Sequence, residues 1–295
     1  MRPLTAVHLP AIRDTLATNI ARRRRVVRAL LDGTPPDEAP AHWEMAEQRI
    51  LWDDGSAMRS AELWWVTPDM TTLAAHSARE WAQLPHWDLQ ASPHRSGLMV
   101  FDGGLPERIE WTPTPDDPSG PIPVRIDAMS WHIRDAELHL GIWTADPAVR
   151  AMNVPLWRSD PVPLVQIAVD GQYPHLDELL LRVLAATMLI SSEPTIAQTR
   201  PASWALDTSG KSARRQKEVP AVKVIALREI LHSRHDDADG VTREYTHRWI
   251  VDGHQRTYWT GPGRTTKLVK TLLPYVAGPA HLPLVVKESV RIWRR

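Results

Sequence analysis

The sequence predicts an α+β protein, with a mainly antiparallel sheet, flanking helices and a small β-rich C-terminal module. Three observations lead there. Strand-like runs bounded by Asp-Gly, Gly-Gly and similar turn pairs fill the middle of the chain. Helical periodicity is confined to stretches at 10–31, 68–84 and 177–190. From 221 onward, short β-rich runs follow one another with no helical spacing between them.

The first helix spans 10–31, with Pro10 in its first turn and Gly33 at its C-terminal cap. Ile12, Leu16, Ile20 and Val27 form its apolar stripe. The run Arg22, Arg23, Arg24 and Arg25 points all round a helix, so it reads as a solvated end and not as one phosphate-binding face. After a Pro-rich acidic loop at 34–40, strands are expected at 49–52 and 61–67 around Asp53-Asp54-Gly55. The helix at 68–84 turns Leu73, Ala74, Ser77, Trp81 and Leu84 inward. His42, His76, His86 and His94 are scattered and show no metal-ligand spacing.

A short strand at 98–102 closes on Gly103-Gly104, and 112–123 is a turn-rich loop. Strands at 124–134 and 137–144 are expected to pair through Asp135-Ala136. That hairpin brings His132 and His139 together, with no third ligand in view. Another strand is expected at 164–169. The helix at 177–190 is apolar nearly all round, which marks it as core. Residues 193–220 read as a linker or mobile arm between an acidic body at 1–192 and a basic module at 221–295. Gly210-Lys211-Ser212 there is not a P-loop, because Ala205 stands where the first glycine belongs and no strand precedes it. The module is expected to hold strands at 222–230, 267–273 and 284–293, with a charged loop at 232–239.

Composition narrows the chemistry. The chain has 295 residues, enough for one large or two modest domains, and 43% hydrophobic content is enough for a core. There is no cysteine, which removes disulfides, thiol nucleophiles and cysteine-ligated metals, and which fits a reducing cytoplasm. No apolar run approaches the roughly 18 residues that a membrane span needs, and the N-terminus lacks a signal-peptide core. A cytoplasmic protein with no membrane partner is expected. Tryptophan is unusually frequent, 14 against 4 Tyr and 1 Phe, so Trp takes core positions that Phe normally fills. The formal net charge is zero, but 18 Lys+Arg face 27 Asp+Glu over 1–210, while 17 face 8 over 211–295. A basic C-terminal part carries the electrostatic footprint of a polyanion partner, or docks on the acidic part of its own chain.

The densest chemistry lies at 242–260, where His, Arg, Trp and Tyr crowd together. Asp252-Gly253 is a strong two-residue hairpin signal. That turn places Trp249 opposite Arg256 and His247 opposite Tyr258. One face then shows His247, Trp249, Val251, His254, Arg256 and Tyr258. If the chain runs straight through 251–254 instead, Arg248, Asp252, His254 and Arg256 share a face.

The pattern His-Arg-Trp-Ile-Val-Asp-Gly-His-Gln-Arg-Thr-Tyr-Trp at 247–259 precedes Gly-Pro-Gly at 261–263 and Leu-Pro-Tyr-Val-Ala-Gly-Pro at 273–279. It resembles a C-terminal module of actinobacterial phage and mobile-element proteins, a family that carries no assigned reaction. The Arg- and Pro-rich composition, typical of a high-GC genome, agrees with that source. The family form has Arg before the turn glycine, an aromatic after His254 and Lys before Gly278, where this chain has Asp252, Gln255 and Ala277. If the family's Arg or Lys touches phosphate, this chain makes that contact more weakly.

Three functions follow. The leading expectation is a nucleic-acid-binding module, RNA or DNA, in which Arg248, His254, Arg256, Tyr258, Arg264, Lys267 and Lys270 contact the backbone and Trp249 or Trp259 stacks on bases. The second is a metal-independent ribonuclease or toxin that uses His247, His254, Arg256 and Tyr258 as acid, base and phosphorane-stabilising groups. The third is a protein–protein adaptor acting on a host or phage factor through its Trp-rich sheet. No dinucleotide fingerprint, Walker motif, nucleophile elbow or paired-carboxylate nuclease motif is present, and no cofactor or metal is expected.

Overall fold

A computed structural model describes residues 4–33, 55–80, 87, 94–111, 120–134, 137–147, 149, 164–169, 174–202, 222–228 and 245–286. The expected strand at 49–52, the loops at 34–40 and 232–239, most of the 193–220 arm and the chain end from 287 lie outside the described residues. So do the side chains of Arg22, Arg23, Arg24 and Arg25.

The fold is α+β. Its helices among the described residues are α1 (Leu9–Gly33), α2 (Gly55–Ser60), α3 (Pro68–Arg79) and α4 (Pro174–Ser191). The strands of the main sheet are β1 (Glu62–Val66), β2 (Ser96–Phe101), β5 (Ala128–Arg134), β6 (Glu137–Thr144), β7 (Val165–Val169), β8 (Ala197–Pro201) and β9 (Val222–Leu227). They lie in the order β7-β6-β5-β2-β1-β9-β8. Strands β3 (Arg108–Trp111) and β4 (Ile122–Arg125) form a separate antiparallel pair. By contact the chain forms two compact units. One holds Met1–Pro68, Asp88–Leu180 and Thr199–Ile225; the other holds Asp69–Trp87, Leu181–Gln198 and Ala226–Arg295.

The antiparallel part follows local sequence. Strands β5 and β6 pair antiparallel, as expected, with Arg134 opposite Glu137. His132 and His139 face each other across this pair with ring centroids 4.8 Å apart. The sheet centre is parallel instead: β1 pairs in parallel with both β2 and β9. Both edges of β1 are thereby filled, by partners other than the 49–52 segment expected beside it, which lies outside the described residues. Gly55 of the turn expected between them instead begins helix α2, which runs to Ser60. The run Glu-Leu-Trp-Trp-Val of β1 is apolar without alternation, as a strand covered on both faces must be. Parallel pairing also brings distant segments together. Strand β9, expected to open the C-terminal module, belongs to the sheet beside β1, and β8 lies in the stretch expected as linker.

Side chains on one face of this sheet meet α1 and α2. Leu63, Trp65, Leu98, Val100, Ala128, Trp143, Val222 and Val224 pack with Leu9, Ile12, Leu16, Ala17 and Ile20 of α1 and Met58 of α2. The helical spacing of the α1 residues is that of a single apolar stripe. Burying each large side chain in this layer contributes about 1.5–3 kcal/mol.

On the opposite face, Trp131 lies over Gly97. A Cβ on Gly97 would stand 2.1 Å from Cη2 of Trp131, whose ring is buried. The missing side chain makes room for the indole. Gly97→Ala is expected to destabilise the protein by about 2 kcal/mol or more, because neither the strand nor the buried ring can yield freely. Urea denaturation measures this, and an unchanged midpoint would mean that Trp131 has another place to go.

Candidate nucleic-acid interface

The residues singled out from sequence fall on two ribbons of the second unit. Strand β10 (Trp249–Val251) pairs antiparallel with β13 (Tyr275–Ala277), and β11 (His254–Thr260) pairs antiparallel with β12 (Thr266–Leu272). The expected hairpin at Asp252-Gly253 is therefore corrected. Those two residues carry the chain from one ribbon into the next, and Val251 faces Tyr275 instead of His254. The true hairpin turn is the 261–265 segment. There Gly261 and Gly263 take φ of 81° and 69°, and Arg264 follows at φ 54°. The Arg264 N–H donates to the Gly261 carbonyl at 2.9 Å. Two glycines around a proline supply the positive φ that this turn needs.

The first ribbon is built into its surroundings. Arg248 Nη2 meets the Asp69 carboxylate of α3 at 2.8 Å, and Arg248 Nε donates to the Leu282 carbonyl at 2.6 Å. The Arg248 backbone N–H donates to Pro283, and its carbonyl accepts from the Val285 N–H. Arg248 thus leaves the set of cations open to phosphate. Trp249 is flanked by Tyr245 at 5.3 Å and His247 at 6.2 Å, and a side chain on Gly278 would strike it. Asp252 meets His76 of α3 at 2.7 Å.

The second ribbon is open. Apart from Tyr258 and Leu272, every residue of β11 and β12 is exposed. Trp259 is 58% exposed, and Leu268 and Val269 stand in solvent on opposite faces. The register puts His254, Arg256 and Tyr258 with Leu272, Lys270 and Leu268 on one face. Trp259 and Thr257 share the other with Lys267 and Val269. Arg256 stacks on Tyr258, its guanidinium carbon 5.3 Å from the ring centroid. The His254 Nδ1–H donates to the Asp252 carbonyl at 3.1 Å. No Asp or Glu occurs between Asp252 and Glu288, so Arg256, Arg264, Lys267 and Lys270 have no acid beside them in sequence.

His247 lies in the chain just before the first ribbon, whereas His254 opens the second. Tyr258 faces Leu268 instead of His247, so the four-residue catalytic constellation expected from the 252–253 turn is not assembled. The sequence also missed an ion cluster in the first unit. Lys223 bonds Glu62, and His94 Nε2 lies 2.5 Å from the other Glu62 oxygen, under the rim of Trp64. Burial holds the His94 imidazole below its ordinary range; Glu62 opposes that and the nearby Lys223 ammonium reinforces it. The Lys223 ammonium also donates to His94 Nε2 at 3.2 Å. Burial likewise raises the Asp102 carboxyl, against a hydrogen bond from Trp65. Among the described residues no group of three or more His, Asp or Glu is placed to hold a metal ion, and no helix is long and apolar enough to cross a membrane.

No protein-family model, curated protein or solved structure matches this chain.

Arg248→Ala is expected to lower the unfolding free energy by about 2 kcal/mol, between the values for exposed and buried ion pairs. A urea midpoint equal to that of the parent would return Arg248 to the free cations. His94 adds a pH dependence. Its folded pKa lies below the unfolded 6.5, so its contribution is complete above that value and is lost as pH falls towards the folded pKa. Melting temperature should therefore decline on acidification from neutrality, and His94→Gln should flatten that part of the curve. A profile identical in the variant would remove His94 as the cause.

Proposed function

We propose that the C-terminal module binds nucleic acid through the β11–β12 ribbon. The observation that carries this reading is a two-stranded ribbon with both faces in solvent, four cations and no acid. An isolated two-stranded ribbon is marginal in water, so persistent exposure of Trp259, Leu268 and Val269 calls for a partner that covers them. Cations interleaved with aromatic side chains suit phosphate and base together. The resemblance at 247–279 supplies the setting, a protein of phage or mobile-element type.

The contacts would come from His254, Arg256, Tyr258, Trp259, Arg264, Lys267 and Lys270. The same exposed Trp259, Leu268 and Val269 also favour a second reading, a protein partner docked on the ribbon. Salt separates the two. Four phosphates neutralised by Arg256, Arg264, Lys267 and Lys270 predict that log K falls against log salt with a slope of about −3 to −4 on a duplex. Fluorescence anisotropy of labelled DNA and RNA, in EDTA and over a KCl series, measures this on the full chain. Intact probe with that slope is the expected result. Cleavage in EDTA that His254→Ala abolishes would move the assignment to a nuclease. Absence of binding at low salt would leave the protein partner.

A further inference from the structure

We propose that the target is a B-form DNA duplex and that the β11–β12 ribbon enters its groove instead of lying on its surface; this rests on the nucleic-acid reading above. Three features of the ribbon lead there.

The first is that its cations are divided between its faces. Arg256 and Lys270 form one cross-strand pair and share a face. Lys267 lies on the other face, opposite Trp259. A single strand has one backbone, and a ribbon lying on it would use one face only. Two walls of phosphate on either side of an inserted element exist in the groove of a duplex.

The second is size. Two strands about 4.8 Å apart, with side chains on both faces, match a groove about 12 Å wide, and a two-stranded ribbon is one of the two elements that fit the B-form major groove. The deep groove of A-form RNA is too narrow to admit side chains. Each strand has 7 residues, a reach of about 20 Å, so the ribbon projects beyond the rim of the groove.

The third is the tip. Arg264 is the one non-glycine residue with positive φ among the described residues, fixed there by its N–H bond to Gly261. The Gly261–Pro262–Gly263 turn keeps the leading end slim. A fourth cation therefore sits at the end that goes in first.

The test uses the full chain and four probes of one sequence: duplex DNA, single-stranded DNA, duplex RNA and single-stranded RNA, compared by anisotropy at one salt concentration. Duplex DNA should bind tightest, by about tenfold or more. Lys267→Glu and Lys270→Glu, one on each face, should each weaken duplex binding by about fivefold or more and reduce the salt slope by about one or two. Both positions are exposed, and Lys→Gln at the same sites replaces a reversal that lowers the melting temperature. Equal or tighter binding to a single strand or to duplex RNA would overturn groove entry and leave the nucleic-acid reading standing. So would a reversal on one face that has no effect while the other does. Failure to bind any of the four probes would overturn both.

Discussion

The second unit depends on one side chain, Arg248. Its guanidinium joins the Asp69 carboxylate of α3 to the Leu282 carbonyl, and its backbone bridges to Pro283 and Val285. Three separate stretches of chain meet there. The guanidinium is largely buried while Asp69 is partly open, so the pair ranks between a surface contact of about 0–1 kcal/mol and a buried one of about 3–5. The neighbouring His76–Asp252 pair has an exposed carboxylate, which places it near the weak end. Asp69 and His76 stand seven residues apart, two turns on one side of α3. The helix therefore grips the 248–252 segment at two points, of which the first dominates.

That grip ends where the open ribbon begins. After Asp252 no side chain of β11 or β12 forms an ion pair with the rest of its unit among the described residues, and its order comes from its own ladder. Cross-strand pairs such as Thr257–Val269 and Tyr258–Leu268 contribute about 0.2–1 kcal/mol each. Opposed to them is the cost of leaving Trp259, Leu268 and Val269 in water. A fixed base with a weakly stabilised arm is an arrangement in which a ligand contributes much of the arm's order. The cations left for that ligand are those Arg248 does not join, because structure has already claimed it.

The sequence displayed much of this, unevenly. The pairing of β5 with β6 and the Gly103-Gly104 turn were legible because local sequence decides them. The Asp252-Gly253 signal was equally strong and misleading. A turn dipeptide permits a hairpin but does not choose between strands, and Tyr275 offered Val251 a better partner than His254. The Gly-Pro-Gly at 261–263 held the real hairpin in view between two runs rich in Thr, Tyr, Trp, Val and Leu. The parallel sheet centre was harder. Its signal was the absence of alternation in Glu-Leu-Trp-Trp-Val and Ser-Gly-Leu-Met-Val-Phe, which also reads as a buried segment of no fixed direction. Strand β9 lies far along the chain from β1, and no local pattern announces such a pairing. Arg248 looked like a free cation because its acid, Asp69, stands far away in sequence, in the first turn of α3, and meets it only in space.

The same geometry bears on catalysis. Metal-independent phosphoryl chemistry needs an acid and a base within reach of one phosphate, and preorganised charge in a site from which water is excluded. His247 packs edge-on against Trp249 near the rigid ribbon, while His254 opens the exposed one. His254 does hold a defined tautomer through Asp252, with its Nε2 directed away from that bond. Yet Arg256 and Lys270 beside it stand in bulk solvent, where their charge stabilises an oxyanion far less than in a closed site. Cations in that setting attract a polyanion over a distance and release it with salt. That exposure supports the proposed binding over catalysis by the same residues.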